Sequence, residues 1–277
     1  MGLAFEVGCT VAEPSIRRSP RLALLYGAPI ELLGGLIGLG GAEFRLPILA
    51  GVFGYKARRA VALNLAISLI TVVSALLIRS GTLSLAPLLA LLPVILAMIV
   101  GSVSAAYVGT ALVHRVSEHL LERFILVFLV MIGTALIVEA FLPQQVAGLL
   151  PDIHPVRVVA AVLFGFVIGL VSSVLGVAGG ELIIPTLLFA FCADIGAAGT
   201  ASLLISPPTV AVGVLRHCSL GAFEERRDLT QTVAPMGLGS VIGAVAGGLL
   251  VGLVPSSSLK LILGVILIVS AIRIFRK

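Results

Sequence analysis

Apolar residues run along this chain in blocks of about 20 or more, separated by short polar or basic segments, from Leu22 to the C-terminus. A helix of about 20 apolar residues crosses the ~30 Å hydrocarbon core of a bilayer, so the blocks predict membrane-spanning helices. The pattern predicts spans over 60–78, 83–113 (with its ends outside the hydrocarbon core), 120–142, 197–215, 229–254 and 259–275.

Two further apolar blocks, 22–53 and 158–191, differ from the others in length. At about 1.5 Å per residue each is too long for one span and too short for two. Each has a glycine-rich middle, which is its least helical stretch. We therefore expect each block to form a re-entrant hairpin of two half-helices that enter and leave on the same side. Such irregular backbone is tolerated at membrane depth only where protein or a water-filled cavity covers it.

The glycine-rich stretch occurs twice, as GGLIGLGGAEFRLP over 34–47 and as SSVLGVAGGELIIP over 172–185. At one constant offset Glu43 aligns with Glu181 and Pro47 with Pro185, and polar positions of the following span align as well. The sequence thus predicts two copies of one unit, each a broken hairpin followed by three transmembrane helices. The predicted organisation is a tail over 1–20, a first membrane repeat over 21–142, a linker over 143–156 and a second membrane repeat over 157–277.

Composition and charge agree with an all-α integral membrane protein. The 277 residues are 59% hydrophobic and only 11% charged, with a mean hydropathy of +1.22. The net charge of +5 does not indicate nucleic-acid binding, because cytoplasmic loops of membrane proteins are rich in Lys and Arg anyway. The three cysteines lack disulfide or metal spacing, and no nucleophile elbow, P-loop or HExxH motif is present. We therefore expect no enzyme activity, no cofactor and no metal.

The basic residues predict the orientation in the plasma membrane. If both hairpins are re-entrant, each repeat crosses an odd number of times, and the two repeats have inverted topology. Nearly all Lys and Arg residues then lie on the inner side, with Arg79, Arg157 and Lys260 on the outer side. If the broken blocks crossed fully, Lys56 and its basic neighbours would move outside and weaken this bias. The re-entrant model, with both termini cytoplasmic and the linker extracytoplasmic, is therefore preferred.

Each predicted hairpin presents the start of a helix at membrane depth. A helix start has free N–H groups and the positive end of the helix dipole, which together bind anions. The pairs Gly40–Gly41 and Gly179–Gly180 would let a ligand approach the backbone closely. The alternative is that these glycines only let helices pack.

Glu43 and Glu181 fall where the second half-helix of each hairpin should begin. A carboxylate at membrane depth needs a partner, a cavity or a proton, which indicates coupling or gating. A helix cap is the alternative, because an acidic residue in a first turn is stabilised by the dipole. Pro47 and Pro185 fit an early helical turn and are expected to act on conformation. Arg45 either holds an anion, pairs with Glu43 or Glu31, or snorkels to the interface.

Polar residues of the span that follows each hairpin share one helical face. Asn64, Ser68 and Thr71 are spaced i, i+4, i+7, and Ser202, Ser206 and Thr209 repeat that spacing in the second copy. Either they line a path for an anion or they make ordinary interhelical hydrogen bonds. Pro207–Pro208 should distort the second of these helices.

Two further features of the apolar runs are weaker signals. A ridge of Gly239, Gly243 and Gly247 indicates close packing, inside the chain or across a homodimer face. Glu31 and Glu139 are acids without a matched partner in the other repeat and are weak candidates for the site.

The doubled glycine-rich segment, with Glu43-Phe-Arg-Leu-Pro47 and Glu181-Leu-Ile-Ile-Pro185, resembles the sulfite exporter TauE/SafE family, also called the toluene-sulfonate uptake permease family. Ala178 stands where the family pattern has glycine. The resemblance implies secondary transport of small organosulfur anions, such as sulfite, sulfoacetate or related sulfonates. It also implies functional roles for the two Glu-x-x-x-Pro segments.

Together these observations predict a permease that works by alternating access, in the direction of export, with a coupling proton or cation. The predicted partners are the anion and the lipid bilayer. An anion channel or passive pore, a transporter of a different small anion and a membrane-embedded enzyme are the alternatives. The residues predicted to bind substrate or to gate are Gly40, Gly41, Glu43, Arg45, Pro47, Asn64, Ser68, Gly179, Gly180, Glu181, Pro185, Ser202 and Ser206.

Overall fold

A computed structural model of the chain describes residues 19–37, 41–79, 88–141, 153–250 and 256–275. Within these ranges the chain is helical and contains no strand, as predicted. The helices are α1 (Pro20–Ile37), α2 (Ala42–Gly51), α3 (Ala57–Arg79), α4 (Leu92–Arg115), α5 (Glu118–Glu139), α6 (His154–Leu175), α7 (Gly180–Phe191), α8 (Ile195–Ser219), α9 (Arg226–Asp228), α10 (Ala234–Leu249) and α11 (Ser256–Phe275). A π-helical segment, Leu229–Val233, joins α9 to α10.

Seven helices of the described ranges are long and apolar enough to cross a membrane, which confirms the class of integral membrane α protein. The span expected over 83–113 is described from residue 88 onward, and its helix begins only at Leu92, with Pro93 in the first turn, where a missing N–H costs little. Pro207 and Pro208, where a distortion was expected, lie inside α8, which runs from Ile195 to Ser219.

Each broken block folds as a hairpin whose two ends lie on the same side. In the first, the ring of Tyr26 near the start of α1 meets the ring of Phe53 just after α2, with centroids 6.3 Å apart. In the second, Arg157 near the start of α6 donates a hydrogen bond of 2.9 Å to the carbonyl oxygen of Phe191 at the end of α7.

The expectation of two half-helices in each hairpin needs correction. α6 has 22 residues and is long enough to cross a membrane, whereas α7 has 12. α1 has 18 residues and α2 has 10. Each hairpin therefore combines a longer first helix with a shorter second helix, because the glycine break lies a few residues past the middle of the block.

The central helices α3 and α8 run antiparallel. Gly213, late in α8, lies against Leu65, early in α3. The first hairpin precedes the start of α3 and the second precedes the start of α8, so the two hairpin bases lie at opposite ends of this pair. We call the end where α3 starts the Arg58 end, and the end where α3 finishes the Ile78 end.

Glycines let helices of one repeat pack tightly against helices of the other. α1 packs along α10, and its counterpart α6 packs along α4. A Cβ atom built on Gly243 of α10 would overlap the backbone oxygen of Ala28 in α1, and one on Gly101 of α4 would overlap that of Val162 in α6. The predicted glycine ridge thus packs inside the chain.

This packing predicts that Gly243→Ala destabilises the protein, because α1 and α10 must separate to admit one methyl group. Overpacking of this kind costs about 1–3 kcal/mol. The measurement is the thermal unfolding midpoint of the purified protein in detergent. Gly248→Ala, on the same helix, is the matched control, because a Cβ there meets no described atom within 4 Å. Equal midpoints for the two variants would contradict the tight α1–α10 contact.

Candidate functional site

The starts of the two short helices meet in the middle of the bundle. The N-cap residue of α2 is Gly41 and that of α7 is Gly179. Because glycine has no side chain, neither N-cap residue can bond to the free N–H groups of its helix. Gly179 has φ +78, a left-handed conformation that favours glycine, and Gly176 at the end of α6 has φ +67. Both helix starts thus lie inside the bundle, where the sequence analysis expected an anion to bind.

Arg45 of α2 is buried at the centre of the site and is held by four hydrogen bonds. Its Nε donates to Asn64 Oδ1 (3.2 Å), and its Nη2 donates to Ser68 Oγ (3.0 Å). Its Nη1 donates to Glu31 Oε2 (3.1 Å) and to Ser240 Oγ (3.0 Å). A guanidinium carries five N–H donors, so one donor on Nη2 has no partner among the described residues. Of the three roles that the sequence left open for Arg45, snorkelling is wrong, and pairing with Glu31 is observed.

Asn64 and Ser68 connect the two hairpin breaks through α3. The Asn64 Nδ2 group donates to the carbonyl oxygen of Ala42 (2.9 Å) and to that of Leu175 (3.4 Å). Ser68 Oγ donates to the carbonyl oxygen of Gly176 (3.4 Å). Asn64 therefore satisfies backbone groups of both hairpins at once, which irregular backbone in a bilayer requires.

Three carboxyl groups surround Arg45. Glu31 of α1 accepts a hydrogen bond from Arg45. The carboxyl groups of Glu43 and Glu181, one from each hairpin, interact with each other. Glu43 is 1% exposed, and neither of its carboxyl oxygens has a hydrogen-bond donor among the described residues.

A cavity of about 370 Å³ reaches from the two helix starts toward the Ile78 end, where Ile78 and Leu249 line it. The predicted site residues on its wall are Gly41, Arg45, Ser68, Gly180, Glu181, Ser202 and Ser206. Apolar side chains of α3, α8 and α10 form most of the remaining wall. The cavity thus has a polar floor at the helix starts and an apolar shaft above it.

Gly40 falls outside the described residues, and the remaining predicted site residues are not on the cavity wall. They are Glu43, Pro47, Asn64, Gly179 and Pro185. Pro47 and Pro185 are each the sixth residue of their helix, beyond the early turn that was expected. A proline at that position removes the N–H that would bond to the carbonyl of Glu43 or Glu181, four residues earlier.

Sequence reasoning undervalued one residue of the site and missed another. Glu31 was a weak candidate because it has no counterpart in the second repeat, and it forms the ion pair with Arg45. Ser240 was missed because it stands inside the glycine ridge, where packing explained the pattern. The sequence did contain a signal for Ser240, because this residue places a hydroxyl group directly after Gly239, on the helix that packs onto α1.

The opposite, Arg58 end of the bundle is closed by a polar network. Tyr55, after the first hairpin, donates to Asp228 Oδ1 (3.0 Å), and its hydroxyl lies 2.8 Å from that of Thr232 in the π-helical segment. Arg59 pairs with Asp228 (2.6 Å) and with Glu225 (2.8 Å). A second cavity of about 560 Å³ lies on the far side of this network, lined by Tyr55, Arg59 and their neighbours.

Two histidines, His114 and His217, contact each other at this end. His217 is fully buried, and its Nδ1 lies 3.0 Å from Nε2 of His114. In the part of the chain that the structure describes, no group of three or more His, Cys, Asp or Glu side chains could hold a metal ion.

Comparison with known proteins gives one match. The model of the family described as sulfite exporter TauE/SafE matches residues 5–136 and 161–277. No curated protein and no solved structure matches the chain.

The Arg45–Glu31 pair predicts a strong, non-additive effect on stability. Glu31→Gln leaves the guanidinium buried without its counter-charge, and breaking a buried ion pair from one side costs about 3–5 kcal/mol. The double variant Arg45→Gln, Glu31→Gln removes both charges and should recover part of that loss. Unfolding free energies of the two single variants and the double variant form the cycle, with the exposed Glu224→Gln as control. Additive losses would show that the two side chains do not act as a pair.

Proposed function

Because the chain belongs to the sulfite exporter TauE/SafE family, we propose that it is a secondary transporter of small organosulfur anions, such as sulfite, sulfoacetate or related sulfonates. Members of this family are membrane transporters, not enzymes, and the seven candidate spans support an integral membrane protein. The substrate, the direction of transport and its mechanism are the proposed parts.

The observation that carries the proposal is the guanidinium of Arg45 on the cavity wall beside the helix starts. Four of its N–H groups are fixed by protein partners, so the remaining donor on Nη2 is held in place for an oxygen of the substrate. Hydroxyls of Ser68, Ser202 and Ser206 lie on the same wall. A sulfite or sulfonate group presents three oxygens, and this set offers donors from several directions.

The arrangement of the hairpins supports two inverted repeats and alternating access. The hairpin bases lie at opposite ends of the antiparallel α3–α8 pair, as inverted-topology repeats require. The cavity reaches the Ile78 end, whereas the Tyr55–Asp228–Arg59 network closes the other. In the proposed mechanism this is one access state, and parting that network while the Ile78 end closes gives the other.

Orientation and direction follow from the charge distribution. The Arg58 end carries Lys56, Arg58 and Arg59 and is proposed to be cytoplasmic, because basic residues concentrate on that side. The cavity then faces outward. In export, the anion would enter from the 560 Å³ cavity at the Arg58 end once the Tyr55–Asp228–Arg59 network has parted. It would leave through the 370 Å³ cavity at the Ile78 end.

The central test is counterflow of labelled sulfite and sulfoacetate in proteoliposomes. A carrier gives saturable exchange, and the variant Ser68→Ala, Ser206→Ala is expected to raise the half-saturation concentration about tenfold or more. The reason is that a hydrogen bond to a charged group contributes about 1.5–3 kcal/mol. Ser104→Ala, an exposed serine bonded to its own helix, is the matched control. Flux that neither saturates nor exchanges would identify a channel, and no flux of either anion would overturn the substrate class.

Alternating access predicts reciprocal labelling of two engineered cysteines in a variant lacking Cys9, Cys192 and Cys218. Ala75→Cys on the cavity wall should react with a membrane-impermeant thiol reagent from the Ile78 side only. Thr232→Cys, buried in the closing network, should react only from the Arg58 side. Saturating sulfoacetate should lower the labelling rate at one of these two positions as it raises the labelling rate at the other. Labelling of either position from both sides at once would indicate a continuous pore.

A further inference from the structure

Two carboxyl groups meet where the tips of the two hairpins come together. Glu43 is the second residue of α2 and Glu181 is the second residue of α7, and the two carboxyl groups interact directly. Neither carboxyl oxygen of the buried Glu43 has a hydrogen-bond donor among the described residues. Two ionised carboxylates are both acceptors and cannot bond to each other, so a proton on one of them would supply the donor that this contact lacks.

The charges around the pair confirm that no fixed cation replaces this proton among the described residues. Arg45 is the guanidinium of the site, and its ion pair is with Glu31 at 3.1 Å. Three carboxyls and one guanidinium, all ionised, would leave two uncompensated negative charges within the membrane. An isolated buried charge is neutralised rather than tolerated, so protonation is the response with the lowest cost.

Among the residues that the structure describes, the neighbouring helices supply no further charge to the pair. Glu31 of α1 and Arg45 of α2 are the charged groups that act on it. α3 presents Asn64 and Ser68, and α8 presents Ser202 and Ser206. The charged residues of α6 and α11 are confined to the terminal turns of those helices: His154 and Arg157 in α6, and Lys260 and Arg273 in α11.

The two carboxyls differ in their access to water. Glu181 lies on the cavity wall, so it can exchange a proton with water in the cavity. Glu43 is 1% exposed and lies behind the helix start. The proton therefore enters and leaves at Glu181, and Glu43 holds it against the first hairpin.

We infer that the Glu43–Glu181 pair is the coupling site of the transporter, carrying one proton in the same direction as each anion. This inference rests on the function proposed above and specifies its coupling ion. An ionised Glu181 would repel an anion bound at Arg45, so the proton and the anion bind cooperatively. When the proton leaves, the two carboxylates repel each other, and the contact between the hairpins is lost. Only O–H bonds change: one carboxyl oxygen takes the proton from water on one side of the membrane and returns it to water on the other side.

The test measures accumulation of labelled sulfoacetate in proteoliposomes across an imposed pH gradient, with the membrane potential held at zero by potassium and valinomycin. Sulfoacetate is chosen because its charge stays constant above about pH 6.5. One proton per anion gives accumulation in the alkaline compartment of about tenfold per pH unit, because one unit corresponds to a tenfold ratio. For Glu43→Gln, Glu181→Gln the ratio of accumulation with and without the gradient is expected to fall to one. Glu224→Gln, which removes an exposed carboxyl, should keep the full ratio.

The outcomes separate this inference from the proposed function. Counterflow without any effect of the pH gradient on the wild type would overturn proton coupling and leave the carrier intact. A gradient effect that survives in the double glutamine variant would move the coupling site elsewhere. Absence of counterflow in the wild type would overturn the proposed function, and the coupling with it.

A second measurement does not depend on transport. Infrared spectra of the membrane-reconstituted protein at neutral pH should show the C=O stretch of a protonated carboxyl, and the Glu43→Gln, Glu181→Gln variant should lack that band. Glu118→Gln, whose carboxyl accepts from the backbone N–H of Arg58 at the other end, should retain it. A wild-type spectrum without the band would show that both carboxyls are ionised and would overturn the inference directly.

Discussion

The buried guanidinium of Arg45 is the charge around which the rest of this bundle is arranged. A cation inside a bilayer is stable only with fixed partners, and here they come from three helices, α1, α3 and α10. One of these partners, Asn64, also donates to the end of α6. The requirement to satisfy one side chain thereby fixes the relative positions of both hairpin tips. The same network leaves a donor, a cavity and two helix starts facing one another, which is the geometry that an anion carrier needs.

The two repeats are alike in backbone and unlike in charge. Ile183 occupies in α7 the position of Arg45 in α2, and Met98 corresponds to Ser240 when Pro93 is aligned with Pro235. Both apolar residues are buried in one hydrophobic cluster. Around α7 these positions are thus filled by apolar packing, whereas around α2 they are joined by hydrogen bonds.

The sequence predicted much of this fold because its strongest signals are local. Apolar length indicated the spans, and glycine content indicated the breaks, including the left-handed Gly179. The partner of Arg45 was not predictable, because Glu31 and Glu43 are both within reach and the choice depends on how α1 and α2 rotate. Ser240 comes from the other repeat, and only the crossing of α10 over α1 brings it to the site. Long-range contacts of this kind have no signature in one sequence.

The exchange of packing partners between repeats has a consequence for biogenesis. α1 rests on α10 through glycine contacts, and α4 rests on α6, so each repeat completes the hydrophobic surface of the other. During synthesis α1 enters the membrane long before α10 exists, and its small-residue face meets lipid in the interval. The first repeat is therefore not an autonomous folding unit, and neither half of the chain, expressed separately, is expected to assemble a site until the two halves meet in one membrane.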